Sequence, residues 1–273
     1  MPIPFLFLIC PRLGITLLRC SPAGSGLPVD VLGRSRWQVP GSSLLGVIMS
    51  GFVVRAALAV SLLVVAASAA SGEGSGQNEP GQFDFYVLSL SWSPSFCASA
   101  EERGNGRAPT MQCGARPYSF VVHGLWPQYD KGFPEYCQVP APRLNHDIVS
   151  SMLDLMPAPH LIFNEWDKHG TCSGLAPRAY FETVRKARAV VKIPPEYTGL
   201  QEALSVTPTG VEDAFVKANP GLSAGGMAVE CDKKRLTEIR ICLSKDLQFR
   251  DCPEIARRTC RREQLLMPPL RGG

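Results

Sequence analysis

Eight of the ten cysteines fall between Cys97 and Cys260, and no other feature limits the possible folds as strongly. They are Cys97, Cys113, Cys137, Cys172, Cys231, Cys242, Cys252 and Cys260, and all follow an apolar run that reads as an export signal. An even set in an exported chain implies four disulfides, and the sequence alone leaves about a hundred pairings open. No Cys-x-x-Cys pair with zinc spacing occurs, so the cysteines point to staples rather than to a structural metal.

The export signal lies inside the first 70 residues, which do not read as a folded domain. Residues 1–43 mix apolar, Pro, Gly and Arg positions without a sustained period. Met49 and Arg55 then precede an apolar run, Ala56–Ala67, broken only by Ser61 and followed by small-x-small patterns at Ala67–Ala70. A basic start, an apolar core and a small-residue exit make a secretory signal peptide at 49–70. The expected start is therefore Met49, with 1–48 read as untranslated. The core is short for a membrane span of about 20 residues, so no membrane association is expected once the signal is removed. Residues 71–82, rich in Gly, Glu, Asn and Pro, read as a disordered mature N-terminus, and 83–273 as one catalytic domain.

Removing the leader changes the charge argument. The first 70 residues hold five arginines and one aspartate, which leaves 23 basic and 23 acidic side chains and a formal charge of zero rather than +4. Bulk basicity therefore says nothing in favour of nucleic-acid binding. The distribution is uneven, because Cys231–Gly273 carries eleven basic and six acidic residues. Lys233–Arg235 and Arg257, Arg258, Arg261 and Arg262 form either a local basic patch or an ordinary solvated surface.

The body alternates strands and helices without a βαβ repeat. Phe83–Trp92 and Ser119–Val122 read as buried strands. Gly124 is expected to turn the chain after His123. Ser99–Pro109 reads as a loop, and Leu144–Met156 has roughly helical apolar spacing. Pro177 opens a helix to Lys192, with Tyr180, Phe181, Val184, Ala187, Val190 and Val191 inward. Thr207 caps a helix ending near Asn219–Gly221. Met227–Cys231, Leu236–Leu243 and Leu247–Arg250 suggest an antiparallel meander with a turn at Asp232–Lys234. The fold class is α+β: a central antiparallel sheet flanked by helices and stapled by disulfides.

Two stretches carry the chemistry. Phe163–Cys172 reads Phe-Asn-Glu-Trp-Asp-Lys-His-Gly-Thr-Cys. On a helix, Asn164, Glu165, Lys168 and His169 share one face of roughly 140°, with Trp166 turned away to be buried and Gly170 ending the turn. Tyr118–Gln128 reads Tyr-Ser-Phe-Val-Val-His-Gly-Leu-Trp-Pro-Gln, a strand delivering His123 to its end. Two histidines, a carboxylate and a lysine are a compact set for proton transfer around a phosphate. Zinc ligation by His123, Glu165 and His169 fits poorly, since Lys168 would repel the ion and no His-Glu-x-x-His pattern occurs. His146 and His160 are assigned no role.

His-Gly-Leu-Trp-Pro at 123–127, followed by Glu-Trp-Asp-Lys-His-Gly-Thr-Cys at 165–172, resembles the two active-site segments of the ribonuclease T2 family, and Phe83–Cys97 resembles that family's first strand. The resemblance spans Phe83 to about Cys260. It implies a ribonuclease T2-like fold with disulfides Cys137–Cys172, Cys97–Cys113, Cys231–Cys260 and Cys242–Cys252. It also implies an endoribonuclease cleaving single-stranded RNA, with low base specificity, by transphosphorylation through a 2′,3′-cyclic phosphate. In that reading His169 is the base and His123 the acid, while Lys168 and Glu165 stabilise the transition state or tune His169. No cofactor is expected, and DNA, lacking the 2′-hydroxyl, should be inert.

Trp126 would stack on a base, with Phe133 a second stacking partner. Asn164 stands where many members have a third histidine; an amide can still donate to phosphate. Gln128 stands where many fungal and plant members have an aspartate, so base preference does not carry over. A monomer, secreted or periplasmic, is expected. The other class of reading is a catalytically idle module binding RNA or a partner on the same fold, for which loss of a catalytic histidine would be the mark.

Overall fold

The computed structural model describes residues 78–104, 109–114 and 116–271. The expected leader, the signal peptide and 71–77 of the expected disordered N-terminus lie outside these residues, whereas 78–82 are described, with Gly81 N–H donating to Cys172 O at 2.9 Å. Among the described residues no helix is long and apolar enough to cross a membrane.

The centre is a four-stranded antiparallel sheet, ordered β2-β1-β5-β4. Its strands are β1 (Phe85–Trp92), β2 (Phe120–Gln128), β4 (Met227–Cys231) and β5 (Leu236–Leu243). Strand β3 (Leu204–Val206) pairs with β6 (Leu265–Met267) in a small second sheet. Between them run α1 (Ser93–Arg103), α2 (Thr110–Cys113), α3 (His146–Met152), α4 (Pro159–Lys168), α5 (Pro177–Val190), α6 (Pro208–Ala218) and α7 (Pro253–Ala256). The four disulfides are Cys97–Cys113, Cys137–Cys172, Cys231–Cys260 and Cys242–Cys252.

Strand β1 explains how the sheet serves two purposes. Its even positions, Tyr86, Leu88, Leu90 and Trp92, enter the main core with Trp166, Tyr180, Phe215 and Ile241. Phe85 and Val87 pack on the other face with Ala228, Cys242 and Ile255. Further along that face the side chains become Ser89 and Ser91, both hydrogen-bonded to Glu238. One strand thus holds the core on one side and begins a polar site on the other, as its period of two requires.

The expected secondary structure needs several corrections. Ser99–Arg103 belongs to α1, because the Cys97–Cys113 bond and the burial of Ser93–Ser95 and Cys97 anchor a helix where composition suggests a loop. Helix α3 covers only His146–Met152 of the expected 144–156. Helix α5 ends at Val190 rather than Lys192, so Val190 is exposed, while Val191 is buried as expected. Leu247–Arg250 forms only an isolated bridge, Leu243 to Phe249, and is not a strand. The turn after β4 is built as expected: Asp232 Oδ1 accepts from the backbone N–H groups of Lys234 and Arg235. Arg235 itself is buried in ion pairs with Glu102 and Asp232, so it belongs neither to a basic patch nor to a solvated surface.

Candidate active site

Strand β2 does not end at His123. It continues through Gly124 to Gln128, and the pairing with β1 slips by one residue between Ser89 and Leu90. Ser89 faces Gly124 while Leu90 faces Val122, so His123 is the extra, unpaired residue of a β-bulge. Strict alternation would put His123 on the same face as Leu125, inside the core. The bulge lets Leu125 and Val122 both stay fully buried and turns the imidazole to the other face. Gly124 is needed for space rather than for a turn: a Cβ there would stand 2.0 Å from Glu165 Oε2 and 2.3 Å from Trp126 Nε1.

Helix α4 starts at Pro159, an N-terminal position where the missing N–H costs nothing. It carries Glu165 and Lys168 toward the sheet. Trp166 fills the core behind them, its Nε1 donating to the Pro142 carbonyl at 2.7 Å. His169 caps the helix end, and its N–H donates to Glu165 O at 3.0 Å. Gly170 opens a 3-10 turn, Gly170–Ser173, that closes at Gly174 in the left-handed region (φ 73°). The conformational stop expected at Gly170 is therefore made by Gly174. Gly170 is glycine for packing, since a Cβ would lie 2.4 Å from the Trp166 ring. The Cys137–Cys172 bond ties this turn to the loop after β2, and Tyr136 N–H donates to Lys168 O at 2.8 Å.

These elements enclose a cavity of about 350 Å³ lined by His123, Trp126, Gln128, Phe133, Glu165, Lys168 and His169. Asn164 is exposed on α4 and does not line it. Trp126 lies between the two imidazoles, with ring centroids 5.3 Å from each. Its Nε1 donates to Glu165 Oε2 at 2.6 Å. Glu165 Oε1 is 3.5 Å from His123 Nε2. Lys168 Nζ is 3.4 Å from Glu135 at the half-exposed rim. Gln128 is buried, its amide donating to its own neighbour's carbonyl, Pro127 O, at 2.9 Å. Phe133 is half exposed, 6.4 Å from the His169 ring. Among the described residues, no three of His, Cys, Asp or Glu are grouped so as to hold a metal ion.

Strand β5 adds residues that no motif flagged. Glu238 Oε1 meets His123 Nδ1 at 2.5 Å. Arg240 lines the cavity, lies 5.2 Å over the Trp126 ring and pairs with Glu238 and Glu230. Arg258 and Ile255 of the α7 region line the far wall. The available signal was the alternation Glu238-Ile239-Arg240-Ile241, which marks one face of a strand as charged. It does not say which cavity that face borders.

The two histidines sit in opposite environments. Burial works against a charged His123, but the hydrogen bond and charge of Glu238 and the charge of Glu165 outweigh it, so its pKa rises above 6.5. Burial first, then the Lys168 ammonium and His123, push His169 down to about 3. His169 Nδ1 is buried with no hydrogen-bond partner, so a second N–H there would go unsatisfied. Glu165 is raised above 4.5 by burial, a shift opposed by His123 and by the Trp126 N–H. Glu238 is held at about 2, because the hydrogen bond and charge of His123, with Arg240 and Ser89, overcome its burial. The cavity therefore holds one imidazole biased to keep a proton and one biased to lack it.

A helix-flanked antiparallel sheet with a paired-histidine cavity defines a protein class, and the comparisons identify it. The family model described as "Ribonuclease T2 family" matches residues 83–252, so this chain belongs to the ribonuclease T2 family and is a T2-type endoribonuclease. It is 33% identical to a protein named "Ribonuclease" from Aeromonas hydrophila over 174 residues, 62% of this chain and 76% of the relative. It is 34% identical to a "Probable ribonuclease" from Haemophilus influenzae over 128 residues, 44% of this chain and 47% of the relative. Among solved structures, the RNase-related protein from Calystegia sepium is similar in fold, with TM-score 0.55 and 22% identity, over 68% of this chain and 97% of that one.

Proposed function

We propose that this enzyme cleaves single-stranded RNA by transphosphorylation, with His169 as base and His123 as acid. His169, uncharged down to about pH 3, takes the proton of the 2′-hydroxyl. The 2′-oxygen attacks phosphorus and closes a 2′,3′-cyclic phosphate. The P–O5′ bond breaks as His123 Nε2 delivers its proton to the departing oxygen. Negative charge growing on the non-bridging oxygens meets the Lys168 ammonium, and Trp126 and Glu165 hold the cavity wall between the histidines. Slow hydrolysis of the cyclic product would use the same pair with roles exchanged.

The observation that carries this reading is the opposed electrostatics of two imidazoles sharing one cavity with Trp126 between them. Trp126 and the half-exposed Phe133 offer ring faces, which accept any base by stacking, and this supports low base specificity. Gln128 donates one amide N–H to Pro127 O, and its second N–H and its Oε1 are the groups with which it would read a base edge. The four disulfides among the described residues support a secreted or periplasmic location; residues 83–273 are read as one monomeric catalytic domain. N-terminal sequencing of the exported form tests the proposed signal at 49–70.

The reaction is tested with the oxidised mature chain in EDTA, given one RNA oligonucleotide and its all-deoxy twin. RNA fragments with 2′,3′-cyclic phosphate ends, seen by mass spectrometry, and an intact DNA twin are expected. Cleavage of the DNA, or activity only after metal addition, would overturn the mechanism.

A further inference from the structure

The acid of this reaction has a built-in partner. A third of the His123 side chain is exposed, yet its Nδ1 is turned away from the larger cavity to Glu238 at 2.5 Å. Glu238 is itself well fixed. Ser89 Oγ donates to its Oε2 at 3.1 Å, Ser91 Oγ to its Oε1 at 3.2 Å, and Arg240 Nη2 to its Oε2 at 3.2 Å. These donors sit on adjacent strands in register, with Ser91 opposite Glu238 and Ser89 opposite Arg240. The carboxylate is 13% exposed, and the imidazole it meets is the one the β-bulge pushes out of the ladder. A side chain placed by an irregularity of the backbone needs a second contact to fix its ring, and two rigid strands supply one here.

We propose that Glu238 is a positioning residue for catalysis, accepting the Nδ1–H of His123 so that Nε2 holds the proton meant for the leaving 5′-oxygen. The proposal rests on the acid role given to His123. In the step itself, the Nε2 proton moves to O5′ as the P–O5′ bond breaks. The Nδ1 proton stays on the ring, hydrogen-bonded to Glu238, which is never protonated. Other charged or titratable groups also face His123. Glu165 approaches from α4 at 3.5 Å, and Arg240 and His169 act on it through space. The exposed His160 lies across a smaller cavity of about 130 Å³ that His123 and Glu238 also line. Among the described residues, Glu238 alone hydrogen-bonds to the ring.

A carboxylate kept only to neutralise Arg240 would not care which leaving group departs. The test therefore compares Glu238→Gln with the unsubstituted full chain on two substrates. One is an RNA oligonucleotide. The other is the set of nucleoside 3′-(4-nitrophenyl phosphates), whose leaving group departs without a general acid. Glu238→Gln is expected to lower kcat/KM on RNA about 10- to 100-fold, part of the roughly 10²–10⁴ that a general acid supplies, and to leave the nitrophenyl substrates within about twofold. The alkaline limb of the RNA profile should also move to lower pH, because His123 loses the carboxylate that favours its charged form.

Equal losses on both substrates, or an unmoved alkaline limb, would overturn the proposal. Should Glu238→Gln not fold, Glu238→Asp keeps the charge but shortens the reach, and the same loss confined to RNA is expected. An unsubstituted chain that cleaves neither substrate would overturn the ribonuclease reading and this proposal with it, a result distinguishable because no substitution is involved.

Discussion

The bulged middle of β2 and the C-terminal end of α4 each deliver one histidine to the same cavity, and they treat it in opposite ways. His123 lies between two carboxylates, Glu238 and Glu165, on a strand whose irregularity exposes it. His169 lies at a helix end, buried, beside an ammonium and with Nδ1 unpartnered. The side chains are the same; their partners decide the protonation. The contrast also separates two ways of moving a pKa, one by a specific hydrogen-bonded charge and the other mainly by desolvation.

The sharpest way to break the comparison is to remove each imidazole. His169→Ala and His123→Ala should each lower RNA cleavage by about 10²–10⁴, the range a general acid or base supplies, with the fold retained by circular dichroism. On nucleoside 3′-(4-nitrophenyl phosphates) the two should diverge: His169→Ala stays defective and His123→Ala recovers. Similar losses on both substrates would mean that the roles are not divided as assigned.

A second test uses pH. The kcat/KM profile should fall on the acid side only toward about pH 3, as His169 gains a proton, and on the alkaline side above 6.5, as His123 loses one. Stability follows the same signs. His169, depressed in the folded state, costs stability progressively as pH falls from 6.5 toward 3, because the unfolded chain binds the extra proton. Glu238, depressed to about 2, contributes stability that is present above 4.5 and lost as pH falls toward 2. His123, raised, contributes stability that is present below 6.5 and lost as pH rises through its folded value. His169→Asn should remove a few kcal/mol of the acid-side loss, at about 1.4 kcal/mol per pKa unit. A thermal midpoint that drops with acid as steeply as the unsubstituted chain's would contradict this account of His169.

A smaller effect is expected from the staple between the two regions. Replacing Cys137 and Cys172 together by Ala should cost about 2–4 kcal/mol in denaturant melts. It should also raise KM more than it lowers kcat, because the loop carrying Phe133 is freed while both histidines remain in place. The smallest effect concerns the base. Gln128→Asp should change the relative rates on the four nucleobases more than the overall rate. An unchanged preference would place Gln128 outside base recognition.

Much of this was legible in the sequence because it is local. The apolar alternation of Phe83–Trp92 and Leu236–Leu243 shows strands, and the Thr207 cap with Pro208 shows where a helix starts. The spacing of Asn164, Glu165, Lys168 and His169 predicts a polar face backed by the buried indole of Trp166; the structure has the buried indole and brings Glu165, Lys168 and His169 to the cavity, but leaves Asn164 exposed outside it. What was missed depends on pairing. The continuation of β2 past Gly124 was hidden because a glycine after His123 reads as a turn, whereas the neighbouring strand β1 pairs with the chain through to Gln128. Pro127 is tolerated there because β2 has a partner on one side only. The third strand of the expected meander failed for the complementary reason, since its residues find one bridge and no ladder.

The sequence by itself therefore determined which titratable side chains to look for, that the cysteines form an even set, and that one face of α4 is ionisable. Each follows from residue identity and from spacings within a few turns. Only the tertiary structure decided that His123 is the unpaired residue of a bulge, that Glu238 and Arg240 stand behind it, and that Gly124 and Gly170 are glycines because Glu165, Trp126 and Trp166 occupy the space a Cβ would need. Strand register and interatomic distance are relations between residues far apart in the chain, 149 positions in the Ser89–Glu238 hydrogen bond. They set the electric field at each histidine, and with it the opposite directions in which the two pKa values move.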